Sequence, residues 1–290
     1  MKTSYKTIQA MPLSPAVGAE ISGIDIARGI SDEQFSELRQ AFVDYGVIFL
    51  RDQELTPEQH IAFAERWGNI NVNRFFKATD DYPVIAEVRK EADQKGNIGS
   101  AWHTDHSYDQ RPAMGSVLYA REVPSVGGDT LFSSMYAAYD ALSDGLKKML
   151  LAMRAEHSSR HAFGDAAYFN ADLDDLGDRL GNTAAATQDA LHPVIIRHPL
   201  SGRPALYVNG DFTVKFEGWS KEESQPLLDY LYKHARQNEF TCRFNWRRGS
   251  VAIWDNRATH HCALNDYHGE RRLMHRITIE GDDLSAYLSS

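Results

Sequence analysis

The sequence predicts a domain of many short β-strands buttressed by a few helices, either an α+β domain or a helix-buttressed β-sandwich. Three observations predict it. Short apolar runs recur between Gly, Pro and Asp turn residues along the chain. Phe240, Cys242, Phe244 and Trp246 alternate with Thr241, Arg243, Asn245 and Arg247, the period-two pattern of a half-buried strand. Helical spacing is confined mostly to the first half, with one late helix. No repeat or linker interrupts the 290 residues, so residues 1–290 are expected to form a single domain.

Taken in order, residues 8–11 and 18–21 read as short strands before a Ser22-Gly23 turn. Ser31 with Gln34 forms a capping box, and Phe35, Leu38, Ala41, Phe42 and Tyr45 keep helical spacing until Gly46. Val47, Ile48, Phe49 and Leu50 make a buried strand. Thr56-Pro57 with Gln59 opens a second helix, whose apolar side is Ile61, Phe63, Ala64 and Trp67 and which Gly68 closes. A strand is expected over 83–87, and a polar loop over 90–99 delivers the chain to Trp102-His103. Residues 115–121 read as a strand, and Gly127-Gly128-Asp129-Thr130 as a turn before Leu131-Phe132. Residues 134–154 read as two helices broken near Ser143-Asp144. The acidic, Ala- and Asn-rich stretch 164–190 has weak periodicity and reads as a lid or insertion over a site. Strands 194–196 and 205–208 flank a Ser201-Gly202 turn. Ser220 with Glu223 caps a helix to about Gln237, and strands 250–254 and 273–279 follow.

The bulk composition bounds the function. A chain 42% hydrophobic and 11% aromatic can bury a sizeable core. A net charge of −9 argues against nucleic acid as a partner, because phosphate binding needs clustered Lys and Arg. Cys242 and Cys262, the only cysteines, make no secreted disulfide framework, so a cytoplasmic location is expected. No apolar run follows the first residues, so no signal peptide is expected. Nor is there a stretch of about 18 apolar residues to span a membrane.

The chemistry concentrates in Trp102-His103-Thr104-Asp105. On a strand, His103 and Asp105 would share a face, and a distant His from His260-His261 would complete two histidines and one carboxylate. That set is the facial triad of non-haem Fe(II) oxygenases, which leaves positions open for a co-substrate and O2. A polar, solvent-facing strand end is the plainer alternative. Further on, Arg272, Met274 and Arg276 would share one strand face, with Leu273, His275 and Ile277 on the other. If the apolar set packs against helices, both arginines point inward and need anions, which the planar guanidinium fork fits. The alternative is a surface basic stretch paired with Glu270 and Glu280.

At this point the chain resembles the taurine dioxygenase and 2,4-dichlorophenoxyacetate dioxygenase family of Fe(II)/2-oxoglutarate oxygenases. The matching stretches are Gly18-Ala19-Glu20-Ile21-Ser22-Gly23, Phe49-Leu50-Arg51-Asp52-Gln53, Trp102-His103-Thr104-Asp105, Gly127-Gly128-Asp129-Thr130, His192-Pro193, Leu206-Tyr207-Val208-Asn209, Trp254-Asp255-Asn256-Arg257 and Arg271-Arg272-Leu273-Met274-His275-Arg276. They follow the family order across nearly the whole chain. The resemblance implies a double-stranded β-helix, or jelly roll, mainly β with flanking helices. It implies His103, Asp105 and His261 as iron ligands, with His260 in a supporting place. It implies Thr130 and Arg272 on the 2-oxoglutarate distal carboxylate, Arg276 on an anionic substrate, and consumption of O2 with release of succinate and CO2. The retained Asp105 favours hydroxylation over halogenation. A zinc hydrolase could use two His and a carboxylate but has no need of Thr130 with Arg272. A non-catalytic binding protein would be expected to have lost a ligand. Relatives commonly form dimers or tetramers, so a homo-oligomer is expected.

The substrate side departs from the taurine enzyme. Asn73, Phe76 and Gly99 stand where that enzyme carries His, Tyr and Asn, so taurine is expected to be a poor substrate. The same matching places His106, Phe163 and Tyr207 in the pocket. With Phe76 these give three aromatic rings near the anion-binding arginine, unless the rings are ordinary core. Phe240-Thr241-Cys242-Arg243 and Arg89-Lys90-Glu91-Ala92 are similar to the aryloxypropionate dioxygenase branch. The expected substrate is an aryloxyalkanoate-like or other apolar carboxylate, with an alkyl sulfonate or sulfate as the alternative.

Overall fold

Val47, Ile48, Phe49 and Leu50 are all buried, because their strand is covered on both faces. Ile48 and Leu50 turn toward two helices, while Val47 and Phe49 turn toward a second sheet. The computed structural model, which describes residues 4–72, 76–163 and 187–287, is built outward from that strand. The larger sheet runs β1 (Gln9–Pro12), β2 (Ala19–Ser22), β3 (Val47–Leu50), β14 (Val251–Asp255), β6 (Gly115–Glu122), β16 (Arg272–Ile279) and β4 (Ile70–Asn71), with β5 (Ala86–Lys90) also on β16. The facing sheet is β13 (Thr241–Phe244), β7 (Thr130–Ser134) and β15 (Thr259–Ala263). Strands β8 (Arg154–Ser158), β9 (Asp189–Pro193) and β12 (Thr213–Phe216) form a third sheet, and β10 (Ile195–Arg197) pairs with β11 (Pro204–Leu206). Two facing sheets, antiparallel except where β2 runs parallel to β3, with helices outside make the expected jelly roll.

Side-chain alternation assigns each face of the larger sheet. Val117, Tyr119, Val251, Ile253, Ile277 and Ile279 pack under α1 (Asp32–Tyr45) and α2 (Pro57–Glu65). Leu118, Ala120, Ala252, Trp254 and Met274 face the smaller sheet and meet Phe132, Phe244 and Trp246. A further core lies beneath α3 (Met135–Asp140), α4 (Asp144–Leu150) and α5 (Lys221–Ala235). All three expected capping boxes are present, at Ser31/Gln34, Thr56/Gln59 and Ser220/Glu223.

The structure moves several boundaries. The strand expected over 83–87 begins at Ala86 and runs to Lys90, because its partner β16 extends the ladder to Lys90 opposite Arg272. The helix pair breaks at Ser143 as expected, but Arg154 opens β8 instead of ending a helix. The strand β12 was not expected; its partner β8 is far away in sequence. Of the stretch read as a lid, residues 164–186 lie outside the described residues, and Asp189 already begins β9.

Candidate active site

The two sheets part at one end, and the pocket lies between them. Val88, Leu118, Trp254, Arg272 and Arg276 reach it from the larger sheet, and Thr130, Phe132, His261 and Ala263 from the smaller. His103 joins through a single bridge: its N–H donates to the His261 carbonyl at 3.1 Å, and its carbonyl accepts from the His261 N–H at 2.8 Å. It is therefore not on a regular strand, and Asp105 stands in the turn that follows, with His106 at φ 59. His103 and Asp105 thus do not share the strand face that their spacing predicts. A turn, not a pleat, brings the carboxylate beside the imidazole. Thr104 ties the turn down by donating to the Asn256 carbonyl at 2.6 Å, which fastens the first ligand pair to the segment that leads into β15.

The donor atoms converge. Asp105 Oδ1 is 3.5 Å from His103 Nε2, and Oδ2 is 3.6 Å from His261 Nε2. All three ligating atoms lie within 4.8 Å of one another, and this is the one such cluster found among the described residues. Bonds of about 2.1 Å to a first-row metal place neighbouring ligands roughly 3 Å apart, so the set closes on such an ion with small adjustments. His103 Nδ1 lies 2.8 Å from the Ala101 carbonyl; as the donor there, it leaves the Nε2 lone pair facing inward. Burial pushes His261 well below the usual imidazole range, so it is neutral. Burial works to raise Asp105, but the Arg276 guanidinium beside it outweighs burial and holds the carboxyl well below the usual range. A neutral imidazole and an ionised carboxylate are the forms that bind a metal.

The arginines point inward as the strand alternation predicts: Arg272 is 5% and Arg276 6% exposed, and the Glu270/Glu280 surface alternative is set aside. Their situations differ. Arg276 donates from Nη2 to Asp105 Oδ2 at 2.8 Å and from Nε to Ser116 at 3.0 Å, between the rings of Phe76 and Trp254. Arg272 forms no ion pair among the described residues, and its buried Nε has no hydrogen-bond partner. Burial alone lowers its pKa. A buried guanidinium without a carboxylate is costly, and an anion seated beside Thr130 would relieve that cost. Trp246 Nε1 donates to Thr130 Oγ1 at 2.9 Å, leaving the threonine proton to point at such an anion.

The expected pocket residues separate. Phe76, His106 and Phe163 line the pocket together with Gly99. Asn73 lies outside the described residues. Tyr207 is not brought to the pocket wall. It follows β11 into the core and packs against His157 and His192, each with ring centroids 5.6 Å away. His260 is buried with its Nε2 unpartnered, on the strand face opposite His261. Sequence reasoning missed Tyr108 and Phe212, which form a small aromatic cluster with Phe163 and Phe76. Tyr108 follows the motif closely enough to have been suspected; Phe212 carries no signal in its neighbours.

Comparison with known proteins agrees with this geometry. The family model described as "Taurine catabolism dioxygenase TauD, TfdA family" matches residues 9–278. An alkylsulfatase from Acinetobacter baylyi is 33% identical over 95% of this chain and 86% of its own. An (S)-phenoxypropionate/alpha-ketoglutarate-dioxygenase from Sphingobium herbicidovorans is 32% identical over 94% of this chain and 95% of its own. Among solved structures, a taurine dioxygenase from Burkholderia xenovorans superposes with a TM-score of 0.82 at 31% identity, covering 97% of this chain and 93% of that one. The match over nearly the full length, with a two-His, one-carboxylate cluster between the sheets, means that the chain belongs to the TauD, TfdA family and is an Fe(II)- and 2-oxoglutarate-dependent dioxygenase.

Proposed function

We propose that this enzyme hydroxylates a small organic anion with an apolar, aryloxyalkanoate-like body. His103, Asp105 and His261 hold the iron, Thr130 and Arg272 receive the distal carboxylate of 2-oxoglutarate, and Arg276 takes the substrate's anionic group. When bound, the iron and 2-oxoglutarate supply O2 activation and the oxidative decarboxylation to succinate and CO2. The chain supplies orientation and charge. Arg272, whose buried Nε has no partner among the described residues, would hold the far carboxylate of the co-substrate. Arg276, already fixed by Asp105 and Ser116, offers its remaining N–H edge to the substrate and so ties the anion close to the metal. Trp254, Phe132 and Phe212 keep the surroundings apolar, which strengthens both ion pairs.

The observation that carries this reading is the pair of buried arginines opening on one aromatic-lined pocket. An alkyl sulfate or sulfonate is the second reading, favoured by the alkylsulfatase relative. Arg276 accommodates either head group. Taurine is expected to fit poorly, because Phe76 and Gly99 line the pocket without the polar side chains the taurine enzyme carries there. Succinate release measured across phenoxyacetate, 2-phenoxypropionate, hexyl sulfate and taurine decides between them. Turnover of taurine above the others would overturn the proposal.

The chain is further proposed to act as one domain, in the cytoplasm, as a dimer or tetramer. Two unpaired buried cysteines and strands from both ends of the chain in one sheet support the first two points. No helix among the described residues is long and apolar enough to cross a membrane. Light scattering of the purified protein reads the oligomeric state.

A further inference from the structure

We infer that the substrate is bipolar, with a hydrogen-bond donor (a hydroxyl or an ammonium) at the end away from its anionic group, and that Asp211 is the specificity-determining residue that receives this donor. The inference rests on the organic-anion reading above and adds to it what the far end of the substrate carries.

Asp211 lines the pocket and is half-buried. The other charged groups of the lining are accounted for. His103, Asp105 and His261 are assigned to the metal, Arg272 to the co-substrate and Arg276 to the anion of the substrate. His106 sets its Nδ1 3.1 Å from Asp109 Oδ2. Asp211 is the carboxylate left over. On a wall otherwise rich in rings, a carboxylate is costly whenever a ligand strips its water and returns no hydrogen bond. An entirely apolar far end would be better served by a neutral side chain.

The position is built, not loose. Asn209 is fully buried, and its Oδ1 accepts from the N–H of Asp211 at 3.2 Å and of Phe212 at 2.9 Å. Its Nδ2 donates to Ser107 Oγ at 3.0 Å, two residues beyond the ligand Asp105. The Asp211 carbonyl meets His161 Nε2, and the Phe212 carbonyl accepts from the N–H of Ser158 at 2.8 Å. The loop between β11 and β12 is thereby fastened to the turn that carries a metal ligand and to the end of β8. Its next residue, Phe212, stands edge-on to the His103 ring with centroids 6.1 Å apart.

Aromatic rings connect the two charged walls. The Arg276 guanidinium carbon lies 5.8 Å from the centre of the Phe76 ring. Phe76 packs against the cluster of Tyr108, Phe163 and Phe212, in which Tyr108 and Phe212 are 4.7 Å apart. Asp211 adjoins Phe212. The succession is cation, rings, carboxylate, and its complement is anion, apolar body, donor. In such surroundings both polar contacts are stronger than in water, and a substrate turned end for end would set like charges together. A carboxylate accepts up to about four hydrogen bonds, so Asp211 can keep its existing contacts and take one more. Taurine carries both poles but has no body to cover the rings between them.

The test uses the enzyme loaded with Mn(II) and 2-oxoglutarate without O2, with calorimetric titration of two ligand series. One compares phenoxyacetate with its meta and para hydroxy and aminomethyl derivatives. The other compares hexyl sulfate with its terminal hydroxy and amino derivatives. In the series that binds, the best donor-bearing member is expected to bind roughly tenfold or more tightly than the parent. Asp211→Ala should collapse that preference to twofold or less, by weakening the donor-bearing ligand and not the parent. Asp211→Asn, which keeps an acceptor but no charge, should retain part of the preference for a hydroxyl and lose that for an ammonium. The 2-oxoglutarate affinity should move less than threefold in both variants, which shows that the site remains folded. Equal binding of parent and derivatives by wild type overturns the inference and leaves the organic-anion reading standing. So does a donor preference that survives Asp211→Ala. If no member of either series binds wild type, the organic-anion reading fails and the inference falls with it.

Discussion

Replacing Arg272 with methionine should make the metal-free enzyme more stable while destroying its response to 2-oxoglutarate. Arg272 is 5% exposed, its Nε has no partner, and no carboxylate pairs with it among the described residues. The Trp246 ring stands 5.8 Å from the guanidinium carbon, and Tyr267 and Asp129 offset only part of the burial that lowers its pKa. Exchanging buried charges for apolar side chains of similar volume is neutral or stabilising by roughly 1–4 kcal/mol. Methionine matches the length of the aliphatic stem and adapts to the irregular space left by the guanidinium. In a chain of this length each kcal/mol moves the melting temperature by about 2 °C, so a rise of about 2–8 °C is expected.

The second half of the prediction separates function from folding. A ligand at a hundredfold excess over its Kd stabilises by about 2.7 kcal/mol. Wild type with Mn(II) and excess 2-oxoglutarate should therefore melt about 5 °C higher than with Mn(II) alone. Arg272→Met should show no such shift. Thermal denaturation followed by near-ultraviolet circular dichroism, with and without 2-oxoglutarate, reads both quantities. A variant that melts lower than wild type would refute the claim that burial of the Arg272 charge outweighs what Tyr267 and Asp129 return. A variant that is still stabilised by 2-oxoglutarate would refute its assignment to the co-substrate.

Three further outcomes follow from the same geometry. Trp246→Phe removes the donor that orients Thr130, and steady-state kinetics should show the KM for 2-oxoglutarate rising roughly fivefold to tenfold, with the KM of the organic substrate unmoved. Tyr207→Phe deletes a buried hydroxyl that lacks a partner; urea unfolding should find the variant equal to or more stable than wild type by about 1 kcal/mol, with unaltered substrate affinity. His60 is held down to about 3 from 6.5, first by burial, so it stays neutral in the fold while the unfolded chain gains a proton. Its contribution is fully present above pH 6.5 and is lost as the pH falls toward 3, by roughly 2 kcal/mol between pH 7 and pH 5. His60→Gln, which keeps a donor for the Val117 carbonyl, should narrow the difference in unfolding free energy, read from urea titrations at those two pH values, by that amount.

What could be read before the structure was what neighbours in the sequence decide among themselves. The three capping boxes each span four residues, and each is present as written. The alternation over 272–277 put both arginines inside because a strand's faces are settled by its own residues once one face is apolar. The errors came where a distant partner decides. Lys90 joined a strand because Arg272 lies opposite it, and Arg154 became strand because β9 and β12 flank it. Tyr207, read as a pocket residue, went to the core because β11 ends at Leu206 and His157 and His192 wait beyond it.

The ligand motif itself belongs to both kinds. Its residue types announce the metal, but its geometry is not local, since His103 takes its place from a backbone bridge to His261 and Thr104 from the Asn256 carbonyl. The two histidines are therefore not independent donors that happen to meet. Each holds the other's backbone in register, so a change that slides β15 by one residue would remove one ligand and misplace the second. This explains why the site tolerates a turn where a strand was expected. The constraint that matters is the pairing between 103 and 261, and any local conformation that preserves it, and that sets Asp105 beside both imidazoles, will serve.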